Sequence, residues 1–185
     1  MHVITMISRL SAMGRITLAS VLPIFVIAVL LSLSPLGDFS SQLESFVDQY
    51  LLGRVGPWSP YFPVESKIIA NYIAVAAPFF SLALIVQWRK DHSLPEHMLS
   101  MSWRQFVLES CFVAVLVALV VFFSYFSYMD ASAGRMKTRV YGQNRIFYPF
   151  FAAMMMIALE YSLLVAYMVF IHYPSWLLAQ RRIGN

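Results

Sequence analysis

The chain has 185 residues, of which 60% are hydrophobic and 12% charged, with a formal net charge of +4 and a mean hydropathy of +0.70. Soluble domains are about half apolar and about a quarter charged, so the composition argues against a soluble enzyme or nucleic-acid-binding domain and predicts an integral membrane protein. The one cysteine, Cys111, lies in an apolar run, which excludes a disulfide framework and a thiolate metal site.

Four segments are apolar and long enough to cross a bilayer, whose hydrocarbon core requires about 20 residues per helix. They cover residues 16–33, 68–88, 106–126 and 146–173. We therefore expect an all-α integral membrane protein, a four-transmembrane-helix bundle, with residues 1–185 in a single membrane domain. Arg9 and Arg15 precede the first segment as in a signal peptide, but its apolar run is too long and no cleavage pattern follows, which favours a retained helix.

Four spans place both termini on one side of the membrane. If that side is the cytoplasm, seven Arg and Lys residues lie inside and six outside, a difference that barely discriminates between orientations. The first helix usually dominates orientation, and Arg9 and Arg15 flank it, so we expect cytoplasmic termini. The basic third loop, residues 130–145, then lies on the outer side, where basic loops are disfavoured.

The long first loop, residues 34–67, contains a predicted helix. Ser41 and Glu44 match the capping box that begins many helices. Apolar residues follow at helical spacing, namely Leu43, Phe46, Val47, Tyr50 and Leu51. This pattern predicts a short amphipathic helix lying on the membrane surface.

The stretch "GPWSPYFP", residues 56–63, has proline spacing that excludes a helix. Its aromatic residues Trp58, Tyr61 and Phe62 suit the headgroup region of a bilayer. The first loop is equally well interpreted as a tether to the interface and as a partner-binding surface.

The second loop, residues 89–104, contains His92, Glu96 and His97. Two histidines without a fuller set of ligands in the pattern are far more often solvated than metal-bound. We expect no metal site, no cofactor and no catalytic residue in this chain.

Glu160 lies near the middle of the fourth span, where an ionised carboxylate is costly. It must be protonated, or face a donor such as Asn71 or a Ser or Tyr hydroxyl of a neighbouring helix. A proton relay requires a series of polar groups, and the third span offers only Ser110 and Cys111 beyond Glu109. A structural role between helices is therefore favoured over a relay.

Small residues recur at four-residue spacing and predict close helix packing. They are Ser110, Ala114 and Ala118 on the third span, Ala158, Ser162 and Ala166 on the fourth, and Ala70 and Ala74 on the second. Pro78 predicts a kink in the second span.

Two stretches resemble a known family. The second span carries "AAPFFSLAL", residues 76–84, and the third loop carries "SAGR", residues 132–135, followed by basic and polar residues, an apolar final span and the tail "AQRRIGN". In this order and at this length they resemble the immunity proteins for pore-forming colicins of the colicin A type. By resemblance, Ala77, Pro78 and Phe79 occupy the second-span motif and residues 133–135 the third-loop motif. The resemblance runs from Ile68 to the C-terminus, and the long first loop departs from it.

The resemblance implies a non-enzymatic protein of the bacterial inner membrane, with both termini in the cytoplasm, that binds the pore-forming domain of a toxin and prevents channel opening. A basic outer loop could recruit acidic patches of the incoming domain, or it could bind anionic lipid headgroups. The candidate partner-binding residues are Gly134, Arg135, Lys137, Arg139, Tyr141 and Arg145. Pro78, Phe79 and Glu160 are expected to have structural roles within the membrane.

The alternative function is a small transporter, or an accessory subunit of a membrane complex, that depends on Glu160. Under either hypothesis membrane lipids are partners, nucleic acid is not, and the apolar spans are also compatible with a homodimer.

Overall fold

The computed structural model describes residues 11–33, 38–53, 55–91, 102–133 and 136–183, with the backbone alone for residues 38–41, 91, 136–138 and 179–183. Most of these residues are helical. The elements are α1 (Ala12–Leu33), α2 (Asp38–Tyr50), β1 (Gly56–Trp58), α3 (Pro63–Asp91), α4 (Trp103–Val121), β2 (Tyr128–Asp130), α5 (Met136–Gln143), α6 (Tyr148–Tyr167) and α7 (Tyr173–Ile183). Wider π-helical turns, Phe122–Phe126 and Met168–His172, continue α4 and α6.

Among the described residues, four helices are long and apolar enough to cross a membrane: Ala12–Leu33, Pro63–Lys90, Trp103–Phe126 and Tyr148–Leu178. The four apolar helices predicted from the sequence are thus confirmed, with ends shifted by a few residues. Local chemistry sets several of these ends. Pro63 begins α3, where its missing N–H is not needed, and Ser102 forms a capping box with Gln105 at the start of α4.

The core lies between α1, α3 and α6. Its fully buried side chains come from all three helices and include Ile24, Ile69, Ala77, Met156 and Leu159. Ala70 and Ala74, from the predicted small-residue face of the second span, are also buried. Helix α1 therefore packs as an integral part of the bundle.

Helix α4 lies at the edge of the bundle. Within this fully described helix, Val113 is the only buried residue, and it packs with Val117 against the end of α6. The predicted close-packing face was wrong for this helix, because Ala114 and Ala118 are exposed while the larger valines contact its neighbour. Since the whole helix is apolar, its sequence could not indicate which face packs against protein.

The first and last helices reach the same end of the bundle. At that end Trp88 of α3 meets His172 with ring centroids 5.0 Å apart, and Phe106 of α4 meets Tyr173 at 4.9 Å. The first and third loops meet at the other end. We call the described parts of residues 38–62 and 127–147 the cap.

The cap contains a feature absent from the all-α prediction. Strands β1 and β2 pair in parallel, so the fold is a helical bundle with a two-stranded sheet at one end. The expected helix of the first loop is present as α2, which begins at Asp38. Ser41 therefore lies inside this helix, and the prediction that it is the N-cap was wrong.

Candidate functional site

The sheet joins the first loop to the third. Gly56 is paired with Tyr128, and Trp58 with Asp130. The rings of Trp58 and Tyr128 are stacked with centroids 5.0 Å apart, and the N–H of Ala131 donates to the Trp58 carbonyl at 2.8 Å. Two segments about seventy residues apart in the chain therefore form one surface.

Ser59 and Gly142 form a second connection between the loops. The buried Ser59 donates from its backbone N–H to the Ser66 hydroxyl at 3.0 Å, and from its own hydroxyl to the Gly142 carbonyl. A Cβ atom added at Gly142 would lie 2.2 Å from backbone atoms of Ala131 and Ser132. Helix α5 can rest on the backbone after β2 only because position 142 has no side chain.

Tyr148 connects the start of α6 to the cap. Its hydroxyl, fully buried at the start of α6, donates to the Pro57 carbonyl at 2.7 Å, with the Ser66 carbonyl at 3.3 Å. The ring of Phe62 packs edge-on against it at 5.1 Å. Phe62 is therefore buried, so the expectation that it lies among lipid headgroups was wrong. The neighbouring Tyr61 is exposed.

Asn71 holds the end of the first loop against α3. Its amide nitrogen donates to the carbonyls of Gly53 and Lys67 at 2.8 and 2.9 Å, and its oxygen accepts from the Leu52 N–H at 3.0 Å. Gly53 has a φ of +63°, a conformation that favours glycine. Because its donors are used here, Asn71 is not the partner of Glu160 that the sequence suggested.

An ion pair attaches α2 to the bundle. The ammonium group of Lys67, on α3, lies 2.6 Å from an Asp48 carboxylate oxygen and 3.3 Å from one of Glu44. Val47 of α2 is buried against the bundle, but Phe46 remains exposed. One part of the predicted apolar face thus packs on protein, and another part remains outside.

Arg145 occupies a structural position at the base of the cap. Its guanidinium forms an ion pair with Glu65 and donates to the Leu31 carbonyl at 2.9 Å. Glu65 is only 2% exposed, and a buried carboxylate without its cation is strongly destabilising. This geometry ties together the ends of α1, α3 and α6. It favours a structural role for Arg145 over the partner-binding role expected from the sequence.

The other candidate partner-binding residues differ in position. Gly134 and Arg135 lie outside the described residues, and Lys137 is described only by its backbone in α5. The side chain of Arg139, on α5, is exposed. The ring of Tyr141 is stacked on Phe151 of α6 with centroids 5.7 Å apart, so its apolar part contributes to packing.

Two candidate structural residues lie on the outer surface of α3. Phe79 is 70% exposed, whereas the neighbouring Ala77 is fully buried. Pro78 is also exposed and lies inside a continuous helix. The second-span motif therefore points largely toward the surroundings of the bundle.

Glu160 is completely buried, and neither carboxylate oxygen has a hydrogen-bond partner among the described residues. The Ser20 hydroxyl lies beside it but donates to the Thr17 carbonyl at 2.8 Å. The nearby Tyr72 hydroxyl donates to the Ser20 carbonyl at 2.8 Å. Both hydroxyls thus donate to backbone carbonyls of α1. A buried carboxyl group without a hydrogen-bond donor is less costly when it is protonated.

Searches of known protein families, characterised proteins and solved structures give no match to this chain. Within the described parts of the chain, no three His, Cys, Asp or Glu side chains are grouped as metal ligands. His92, Glu96 and His97 lie outside those parts.

Proposed function

We propose that this chain is an immunity protein that binds the pore-forming domain of a colicin-type toxin in the bacterial inner membrane and prevents channel opening. Inhibition proceeds by contact, without catalysis. The resemblance of the second span and third loop to the colicin A type of immunity protein supports this function. The assignment of the membrane and of the toxin class belongs to the same proposal.

The observation that carries the proposal is the cap, in which two distant loops form one preorganised surface. Its exposed residues include Arg139, Tyr61, Tyr128 and Met129. Arginine, tyrosine and methionine are enriched in the cores of protein–protein interfaces. A surface held rigidly by buried hydrogen bonds binds with less loss of conformational entropy than a pair of flexible loops.

The proposed orientation has the cap in the periplasm and both termini in the cytoplasm, since a pore-forming toxin approaches from outside. Two cations at the cap end have acidic partners within the chain: Lys67 pairs with Asp48 and Glu44, and Arg145 pairs with Glu65. These pairs neutralise two of the six Arg and Lys residues that this orientation places outside, where basic residues are disfavoured. Arg139 is then a residue suited to steering an acidic toxin surface.

A protection assay tests this function. The protein is expressed in a sensitive bacterium, a panel of pore-forming colicins is added, including any encoded beside this gene, and potassium loss is followed. We expect protection against one toxin and unprotected leakage with the others. Unprotected leakage with every toxin, in cells shown to contain the protein in the membrane, would contradict the proposal.

The second candidate function is transport, or service in a larger membrane complex, through Glu160. The observation that favours it is a buried carboxyl group without a hydrogen-bond partner among the described residues. Under that function Glu160→Gln abolishes activity while folding is retained. Under the immunity function the same variant protects cells as well as the native chain does.

A further inference from the structure

A groove lies between α1 and α3 at the end of the bundle that carries the termini, far from the cap. Its volume is about 430 Å³, within the usual range of small-molecule sites. The residues that line it include Arg15, Ile16, Ala19, Phe80, Ala83 and Gln87. Ala19 and Ala83 leave space between the two helices because their side chains are small.

The groove has one polar end and one apolar end. Arg15 lies in the first turn of α1 and Gln87 in the last turns of α3, so both are near the end of the bundle. Phe80 lies seven residues before Gln87, roughly 10 Å deeper at a rise of about 1.5 Å per residue. An amphiphile with a charged head and an apolar tail matches this arrangement.

The charge at the polar end is positive. Arg15 is exposed at the groove, and the exposed Arg89 and Lys90 follow in the last turn of α3. Basic residues at this level attract anionic lipid headgroups. A zwitterionic lipid of the same chain length offers the same tail but no net charge for these side chains.

We propose that this groove is a binding site for one anionic phospholipid. The phosphate lies against Arg15, and one acyl chain follows Ile16, Ala19, Phe80 and Ala83 into the membrane. This site is independent of the cap and of the proposed immunity function.

Native mass spectrometry of the full-length protein, titrated with phosphatidylglycerol or with phosphatidylcholine of the same chains, tests the site. Arg15→Gln removes the charge, and Ala83→Phe or Ala19→Phe fills the groove. Arg104→Gln is the matched control, because it removes one exposed arginine at the same end of the bundle that does not line the groove. Circular dichroism of each variant verifies that the helices are retained.

We expect the native chain to bind one phosphatidylglycerol more tightly than phosphatidylcholine. Arg15→Gln weakens the binding of phosphatidylglycerol about five-fold, the effect of one basic residue near an anionic surface, and leaves that of phosphatidylcholine unchanged. Each folded groove-filling variant weakens the binding of both lipids, and Arg104→Gln weakens neither.

Three results would overturn the site. The first is equal affinity of the native chain for the two lipids. The second is phosphatidylglycerol binding that neither Arg15→Gln nor a folded groove-filling variant reduces. The third is a dimer that dissociates in the groove-filling variants, since the groove would then be occupied by a second copy of the chain.

Discussion

The cap end and the middle of the bundle each bury one glutamate, and the two carboxyl groups differ in whether they have a partner. Glu65 is 2% exposed and is paired with Arg145, whereas Glu160 is 0% exposed and has no hydrogen-bond partner among the described residues. Near the end of a span, a carboxylate can remain charged because a cation is within reach. In the middle of a span, removal of the charge by protonation is the less costly solution.

The same contrast extends to the other polar residues. At the cap, Ser59, Lys67, Asn71 and Tyr148 are buried and each bonds to a different segment of the chain. Deeper in the bundle, Ser81 bonds within its own helix, to the Ala77 carbonyl, and Tyr72 bonds to the Ser20 carbonyl of α1. Buried polar bonds therefore specify how the two loops fold together, while the helices are held by apolar packing and by a few bonds between helices, such as that of Tyr72 to α1.

Removal of the cation at the cap gives the largest expected effect. Arg145→Met leaves Glu65 buried without a partner, which should lower the free energy of unfolding by about 3–5 kcal/mol. Arg139→Met is the matched control, since it makes the same substitution at an exposed residue near the same end of the bundle. Denaturant unfolding in detergent measures both, and equal losses in the two variants would contradict the structural role of Arg145.

A side chain at Gly142 should have the next largest effect. The methyl group of Gly142→Ala overlaps the backbone of residues 131 and 132, and overpacking of this kind costs about 1–3 kcal/mol. Thermal unfolding should show a lower midpoint for this variant but not for Gln143→Ala at the neighbouring exposed position. Unchanged midpoints in both variants would mean that α5 does not rest on the backbone of residues 131 and 132.

Replacement of a buried glutamate by glutamine should destabilise the protein less in the middle of the bundle than at the cap end. Glu160→Gln replaces a protonated carboxyl group by a neutral amide of nearly the same shape, so we expect a change of about 1 kcal/mol or less. Glu65→Gln removes the negative charge from the buried pair and should cost more. If Glu160→Gln is the more destabilising variant in detergent unfolding, Glu160 is charged and paired in the folded protein.

The smallest effect on stability is expected at Arg139. Arg139→Gln should change the free energy of unfolding by no more than about 0.5 kcal/mol, as for most exposed positions. Its expected effect is on partner recognition, since a charge at the rim of an interface mainly governs encounter. Potassium loss should therefore begin sooner at low toxin concentration in cells that carry this variant, with the native chain at equal abundance as control.

The sequence predicted the features that depend on local patterns. Long apolar runs identified the four helices, and the helical spacing of apolar residues identified α2. The sheet could not be found, because three-residue strands such as Gly56–Trp58 carry no usable period. The contacts of Tyr148 and Gly142 with the cap were likewise not predicted, since their partners lie in distant segments of the chain.

One missed feature did carry a signal. Glu65 and Arg145 each lie at the end of an apolar segment, at similar distances from its apolar run and with opposite charge. Such a pair indicates a contact between the second and fourth spans, but Arg145 was grouped with the other cations of its loop. The peripheral position of α4 had no comparable signal, because that helix is apolar on all sides.

The most direct measurement of the central claim is potassium efflux from sensitive cells challenged with the toxin that the native chain blocks. Three chains are compared at equal abundance: the native one, Arg139→Glu at the cap and Arg104→Glu at the opposite end. We expect leakage with Arg139→Glu and protection with the native chain and Arg104→Glu. Equal protection by all three would contradict toxin recognition by Arg139 at the cap, and the absence of protection by the native chain against every pore-forming toxin would contradict immunity itself.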